Sequence, residues 1–206
     1  MRAAVVTARK RRSPKSNSIK TEKRARERTP NDPLKPGEVS RLIESTSNLK
    51  DRTLFILGFS TGMRVGEISQ IDESWIQLQE SAIRVWDEKK DRPRIVYVSD
   101  QALSALRLYL NHYPAASRRS PLLFPGYSAK TIERRIQEST SSILGKKRSW
   151  HAVRHTYISL SREQDIPMEI VIASTGDSPV TILKYYSRFS PEAVRKKINE
   201  KPLFRI

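Results

Sequence analysis

Two short runs of β-branched and aromatic residues, 83–86 and 95–98, are the feature that most limits the fold of this chain. They read Ile-Arg-Val-Trp and Ile-Val-Tyr-Val, and a highly charged segment, residues 87–94, separates them. Such a pair predicts one antiparallel β-hairpin, because two strands joined by a loop of this length pair with each other. Helical patterns fill most of the remaining chain, so the sheet must be small.

The apolar spacing outside the hairpin is that of helices. One helix opens at residues 36–38, and a more buried one runs from about 50 to 60, where Gly62 fits a C-terminal cap. Asp100 and Ser128 are suited to cap two further helices. Other short helices are predicted at residues 65–71, 151–162, 167–174, 179–186 and 191–199. The fold class is therefore mainly α with a small antiparallel β-hairpin or sheet, an α+β arrangement.

The charge of the chain indicates a polyanionic partner. The formal net charge is +17 and the pI is near 10.4, a field that concentrates nucleic acid, with an anionic membrane surface as the rival partner. Neither an apolar stretch of 18 residues nor a signal-peptide pattern is seen, which favours a cytoplasmic protein without a membrane partner. With no cysteine and three histidines, we expect no disulfide, metal site or cofactor.

Much of this charge lies in residues 1–28, which hold eleven Lys or Arg against two Glu, a net charge of +9. Because the segment has few large apolar residues, we predict that residues 1–32 form a disordered arm that follows DNA phosphates. A solvated tail without a specific role is the alternative. The arm residues expected to contact DNA are Arg9, Lys10, Arg11 and Arg12.

Three segments carry residues suited to phosphodiester chemistry. They are Thr61-Gly62-Met63-Arg64-Val65-Gly66-Glu67, His151-Ala152-Val153-Arg154-His155-Thr156 and Lys184-Tyr185-Tyr186-Ser187-Arg188. Two guanidinium groups, on Arg64 and Arg154, can hold the charge of a phosphate with paired donors. A tyrosine can then attack the phosphorus without a metal. Each arginine or tyrosine taken alone is more often a surface or packing residue than a catalytic one.

His151 and Lys89 are the remaining candidates for this chemistry. His151 lies three residues before Arg154, so the two share a helix face. It is suited either to donate to a phosphate oxygen or to carry the tyrosine proton, and a capping or core histidine is the alternative. Lys89, in the hairpin loop, can reach a leaving oxygen and protonate it, and a solvated charge cluster is the alternative interpretation of this loop. Further basic residues predicted to contact DNA are Lys90, Arg92, Arg94, Lys146, Lys147 and Arg148.

Taken together, the three segments resemble the tyrosine recombinase, or phage integrase, family over roughly residues 33–190. The resemblance assigns Arg64, Lys89, His151 and Arg154 to its catalytic set and Tyr186 to the nucleophile, with Tyr185 the weaker match. It implies the tyrosine recombinase catalytic-domain fold and a site-specific recombinase or integrase of a prokaryote or mobile element. Such an enzyme breaks and rejoins double-stranded DNA through a 3′-phosphotyrosyl link, without ATP or metal.

The resemblance also implies an assembly. Four protomers act together on two DNA sites, and the free protein is expected to be a monomer in the cytoplasm, associated with the nucleoid. Residues 191–206, the predicted C-terminal helix and tail, would dock on a neighbouring protomer.

Two features depart from the family pattern. After Gly176 the family usually has histidine or tryptophan, and here Asp177 follows. A carboxylate there would repel a phosphate unless it is protonated or turned away. In addition, only about 32 residues precede the catalytic fold, too few for the helical domain that closes around DNA. The chain would thus be a catalytic-domain portion, or resemble short stand-alone invertases of the fimbrial type.

Two other functions remain open from the sequence. The first is a DNA-binding accessory protein of the same fold with impaired chemistry, for which Asp177 is the main support. The second is a type IB topoisomerase-like relaxing enzyme, which needs no defined site. Loss of activity in Tyr186→Phe excludes the first, and a requirement for paired specific sites excludes the second.

Overall fold

The computed structural model describes residues 31–87, 90–114 and 120–186, with residues 184–186 described by their helical backbone alone. These residues form eight α-helices, one 3₁₀ turn and three strands. The helices are α1 (Pro36–Ser45), α2 (Leu49–Thr61), α3 (Val65–Ser69), α4 (Asp100–His112), α5 (Ala129–Leu144), α6 (Trp150–Glu163), α7 (Met168–Thr175) and α8 (Pro179–Tyr186). The strands are β1 (Ile76–Gln77), β2 (Ala82–Asp87) and β3 (Arg92–Tyr97), and the 3₁₀ turn is Glu73–Trp75. The predicted mainly helical α+β class is confirmed.

The sheet is antiparallel in the order β1-β2-β3. The predicted hairpin is confirmed as β2 and β3, whose register pairs Ile83 with Val96 and Trp86 with Pro93. The pairing reaches further toward the loop than the apolar runs do, because Asp87 pairs with Arg92. The short strand β1 was not predicted from the sequence, since two residues are too few to produce a recognisable pattern.

Helix α2 lies at the centre of the main core. Most of its side chains are buried, and it packs against α4 and α6. Asn48 caps its start by accepting from the Asp51 N–H at 3.0 Å. Gly62 ends it with φ of 63°, a left-handed conformation that glycine adopts without strain, so the predicted cap is confirmed. A buried helix ended this sharply is a firm base for the segment that follows.

Of the two predicted helix N-caps, one is confirmed and one is wrong. Ser128 caps α5, its hydroxyl accepting from the Thr131 N–H at 3.2 Å. At α4 the cap is Ser99, which accepts from the Ala102 N–H at 3.3 Å, and Asp100 is the first helical residue. Both residue types cap helices well, and the start of the helix one residue earlier gives the role to serine.

Helices α7 and α8 pack on the second half of α6. Ile158, Val171 and Ile182, one from each helix, form a small buried cluster separate from the main core. The loop 176–178 joins α7 to α8, and its Asp177 contacts Arg64 in the turn after α2. Among the described residues, no helix has the length and apolar character to cross a membrane.

Candidate active site

Two side chains from the first half of α6 donate hydrogen bonds to the turn that carries Arg64, residues 61–64. The Gly62 carbonyl accepts from Arg154 Nη1, and the Met63 carbonyl accepts from the Trp150 indole Nε1 at 2.9 Å. Trp150 is 2% exposed. Because these donors come from the segment that also carries the second arginine, the two arginine motifs predicted from the sequence are fixed relative to each other.

Glu67 orients the Arg64 side chain. Its Oε2 accepts from the Arg64 backbone N–H at 2.7 Å and from Arg94 Nη2 at 2.8 Å, and its Oε1 accepts from Arg64 Nη1 at 3.0 Å. The Glu67 side chain is 2% exposed, so these are desolvated, charge-assisted bonds. No role was predicted for Glu67 from the sequence. A glutamate three residues after a helix N-cap is the signal that would have identified it.

Arg154 is the more buried of the two predicted arginines, with a side chain 5% exposed. Its Nη2 donates to the Thr175 carbonyl at 2.9 Å, in addition to the bond from Nη1 to the Gly62 carbonyl. Burial lowers the pKa of the guanidinium from its usual value, and the neighbouring Asp177 carboxylate opposes that shift. The group remains a fixed cation at any physiological pH, since a guanidinium is not deprotonated in proteins.

Asp177 joins the two arginines. Its Oδ1 accepts from Arg64 Nη2 at 2.9 Å, and its Oδ2 lies 2.6 Å from Arg154 Nη2. The predicted arginines therefore converge on one anion, which here is supplied by the chain itself. The sequence predicts that this carboxylate repels a phosphate unless it is protonated or turned away. In the structure the carboxylate is not turned away, because it lies between the two guanidinium groups.

Two charged residues of the sheet complete the cluster. Asp87, at the end of β2, is 1% exposed, and its Oδ1 lies 3.6 Å from Arg64 Nη1. Arg94, on β3, donates to Glu67 and through Nη1 to the Ser174 carbonyl. Asp87 was predicted to lie in the hairpin loop, and its contact with Arg64 was not predicted. The cluster holds three guanidinium groups and three carboxylates: Arg64, Arg94, Arg154, Glu67, Asp87 and Asp177.

Gly176 allows the loop 176–178 to approach this cluster. Its φ is 70°, and a Cβ there would lie 2.8 Å from Asp87 Oδ2 and 2.9 Å from Arg94 Nε. Both the backbone conformation and the available space therefore require glycine. The residue after it, Asp177, is brought to the arginines by this close approach.

His151 lies in the first turn of α6, exposed, with its ring 4.1 Å from the His155 ring between centroids. Desolvation lowers the pKa of His151, and the positive charge of Arg154 lowers it further. Desolvation also lowers the pKa of His155, whose Nδ1 lies 2.9 Å from the Asn31 carbonyl. Neutral imidazole is therefore favoured at His151, the form that can accept a proton.

The residues predicted to contact DNA differ in how far they are exposed. Lys90, Arg92 and Lys147 are exposed. Arg94 is turned inward, 12% exposed and bonded to Glu67, so it serves the cluster and does not present its guanidinium at the surface.

Two other predicted DNA contacts, both from the basic run after α5, are partly engaged within the protein. The Lys146 ammonium pairs with Glu38, and its side chain is 31% exposed. Arg148 is half-buried, with Nη1 donating to the Lys147 carbonyl at 3.4 Å. This leaves Lys147 as the most accessible charge of that run.

Several predicted residues lie outside the described part of the chain. They are Arg9, Lys10, Arg11, Arg12, Lys89 and the helix 191–199. Tyr186 is the last residue of α8, and its side chain is not described. Its backbone lies in the helix that follows the loop carrying Asp177. In the described residues, no group of three or more His, Cys, Asp or Glu is placed to hold a metal ion.

Comparison with known proteins identifies the family of this chain. A family model described as the phage integrase family matches residues 33–192. The chain belongs to this family. Among curated proteins, the tyrosine recombinase XerD of Staphylococcus saprophyticus is 27% identical over 184 residues, covering 82% of this chain and 62% of the relative. The chain thus spans less than two thirds of the length of that relative.

Solved structures give the same family fold. The crystal structure of XerA recombinase has a TM-score of 0.72 and 27% identity, covering 85% of this chain and 67% of the other. The Tn1549 transposon integrase, solved in complex with transposon right end DNA, has a TM-score of 0.69 at 14% identity and covers 84% of this chain and 67% of the other. At that identity, the likeness supports the fold alone. The predicted tyrosine recombinase catalytic-domain fold is confirmed.

Proposed function

We propose that this chain contains the catalytic domain of a site-specific DNA recombinase of the tyrosine class. Its substrate is double-stranded DNA, which it cleaves and rejoins through a 3′-phosphotyrosyl intermediate. Arg64 and Arg154 bind the scissile phosphate, and Tyr186 is the nucleophile. No cofactor takes part.

The observation that carries this proposal is the convergence of two guanidinium groups on one anion. Arg64 Nη2 and Arg154 Nη2 lie 2.9 and 2.6 Å from the two oxygens of a single carboxylate. A phosphodiester presents two non-bridging oxygens to donors in a similar way. Donors preorganised on the developing charge of a transition state contribute roughly 3–4 kcal/mol each to lowering the barrier. The buried contacts of Glu67 and Trp150 supply that preorganisation.

The remaining roles complete the step. The Tyr186 oxygen forms a bond to phosphorus while the bond from phosphorus to the 5′ oxygen breaks. His151, whose lowered pKa favours the neutral ring, accepts the tyrosine proton or donates to a phosphate oxygen. Lys89 gives a proton to the leaving 5′ oxygen. Religation is the reverse step, so the energy of the phosphodiester bond is kept.

The proposal includes partners and place. Four protomers assemble on two DNA sites, and the free protein is a monomer. The basic arm, together with exposed residues such as Lys90, Arg92 and Lys147, follows the DNA backbone, while residues 191–206 contact a neighbouring protomer. The protein acts in the cytoplasm, on the nucleoid.

Covalent trapping tests the proposed nucleophile. The protein is incubated with nicked duplexes taken from DNA flanking its own gene and run on denaturing gels beside Tyr186→Phe and Tyr185→Phe. We expect an adduct that is lost only in Tyr186→Phe. Loss in Tyr185→Phe instead would move the nucleophile by one position, and no adduct from any protein that binds the DNA specifically would refute the enzyme.

The arginine role has its own test in the same assay. Arg64→Ala should abolish the adduct while retaining much of the DNA binding, because one phosphate donor is lost among many contacts. The control is Arg134→Ala, which removes an equal charge from a side chain 62% exposed on α5. Equal adduct formation by Arg64→Ala and Arg134→Ala would exclude Arg64 from catalysis.

A second candidate function, a DNA-binding accessory protein without cleavage activity, is favoured by one observation. Asp177 occupies the space between the arginines in which a phosphate must bind. If no DNA phosphate can displace it, the domain binds DNA and cuts nothing. Specific binding with no adduct in wild type and none in Asp177→His would support this reading.

A further inference from the structure

We propose that the Asp177 carboxylate is an internal occupant of the phosphate site, and that a DNA phosphate must displace it before strand cleavage. This inference rests on the proposed function and concerns the regulation of the same site. Asp177 would thereby set the affinity of the arginine pair for phosphate and delay formation of the cleavage-competent state until DNA is bound.

Geometry supports this occupancy. Each carboxylate oxygen of Asp177 contacts a different guanidinium, at 2.9 Å to Arg64 and 2.6 Å to Arg154. A phosphate that used the same two donors would place its own oxygens at nearly the same positions. The carboxylate and the phosphate therefore cannot both bind Arg64 Nη2 and Arg154 Nη2 at the same time.

Charge leads to the same conclusion. The cluster has three guanidinium groups and three carboxylates, so it is already balanced before any ligand arrives. A phosphodiester entering beside all three carboxylates would add a fourth negative charge at short range, in a partly desolvated site. One carboxylate has to withdraw or become neutral for the phosphate to bind well.

Burial identifies which of the three can withdraw. Glu67 and Asp87 have side chains 2% and 1% exposed, and Glu67 also accepts a backbone N–H. Asp177 is 15% exposed and belongs to the loop between α7 and α8, where its contacts to the arginines are made by the side chain alone. A change of side-chain rotamer releases both arginines without unfolding an element.

The test measures binding of inorganic phosphate to the whole chain, with no DNA present. Wild type is compared with Asp177→Asn, which keeps the size and an acceptor oxygen but removes the charge. The control is Asp100→Asn, an exposed residue in the first turn of α4. Titration calorimetry is done at constant ionic strength, in buffer free of other oxyanions. We expect Asp177→Asn to bind phosphate roughly tenfold tighter or more, and Asp100→Asn to match wild type.

Phosphate affinity in Asp177→Asn equal to or weaker than in wild type would overturn the proposal. A gain of the same size in Asp100→Asn would also overturn it, since the effect would then be general charge. Asp177→Asn or Asp177→His could fail to fold because Arg154 loses its partner. In that case the proposal expects excess phosphate to take the place of the carboxylate and restore folding. A variant that stays unfolded in saturating phosphate would contradict the proposal.

The result is separable from the test of the proposed function. An adduct formed by wild type together with unchanged phosphate affinity in Asp177→Asn removes the role of Asp177 and leaves the recombinase intact. If Asp177→Asn binds phosphate more tightly but neither wild type nor variant forms an adduct, Asp177 does occupy the phosphate site and the proposed recombinase activity is refuted.

Discussion

Removing the charge of Glu67 is the sharpest test of how the site is held together. The side chain is 2% exposed and accepts three hydrogen bonds, from the Arg64 backbone, Arg64 Nη1 and Arg94 Nη2. In Glu67→Gln the amide oxygen can keep the two donors at Oε2. The amide NH₂ then faces Arg64 Nη1, so a donor meets a donor.

The expected loss follows from these contacts. Removing one partner of a buried ion pair costs about 3–5 kcal/mol, and a hydrogen bond to a charged group contributes about 1.5–3 kcal/mol. Arg64 is 30% exposed, so water compensates in part, and Gln keeps two of the acceptor contacts. We therefore expect the free energy of unfolding to fall by about 2–3 kcal/mol. With a urea m-value of about 2–3 kcal/mol/M, the unfolding midpoint should move down by about 1 M.

The assay is urea unfolding followed by far-UV circular dichroism, with Glu138→Gln as the matched control. Glu138 pairs with Arg134 at 3.7 Å on the surface of α5, and both side chains are more than half exposed. Its loss should cost about 0.5 kcal/mol or less. If the urea midpoint moved no further in Glu67→Gln than in Glu138→Gln, Glu67 would not be the counter-ion on which Arg64 and Arg94 depend.

Three other predictions concern the same region. The pKa values of His151 and His155 are lowered in the folded state, so the unfolded chain binds more protons below about pH 6.5. The free energy of unfolding should therefore fall as the pH drops from about 6.5 toward the folded-state pKa values, and these two groups should leave it constant above about pH 6.5. Urea midpoints from pH 5 to 7.5 test this, and the double variant to Gln should flatten the profile. Trp150→Phe removes the buried indole donor to the turn before the first arginine and should cost about 1–3 kcal/mol in urea unfolding. Gly176→Ala forces a left-handed residue against a carboxylate oxygen 2.8 Å away and should cost at least about 1–2 kcal/mol by thermal unfolding, whereas Gly37→Ala, with open space around it, should not destabilise.

The candidate residues of the site could be predicted from the sequence because their chemistry is local to short motifs. Arg64 and Arg154 were identified from separate segments, and the structure brings their guanidinium groups to one carboxylate. The role of Asp177 could not be predicted in this way. Whether a carboxylate repels a phosphate or takes its place depends on where a three-residue loop lies relative to two other elements. No local pattern encodes that distance.

Strand β3 shows how composition led to the wrong predicted environment for a basic residue. Arg94 and Val96 share one face of β3 because side chains alternate, and Val96 is fully buried. That rule already implies that Arg94 points inward. Grouping it with the surface-exposed Arg92 followed composition, since a run of basic residues beside a loop usually lies at the surface.

Ion pairing and hydrophobic burial act together on the orientation of this end of the sheet. The face toward the site carries Asp87 and Arg94, while Trp86, Ile95 and Tyr97 point outward and are 40%, 40% and 72% exposed. A flip by one residue would bury these three apolar side chains but would expose Ile83, Val85 and Val96, which are now fully buried. It would also leave Glu67 and Arg64 facing an apolar surface. Hydrophobic burial and the ion pairs therefore favour the same register, in which the sheet places Asp87 beside Arg64 and Arg94 beside Glu67.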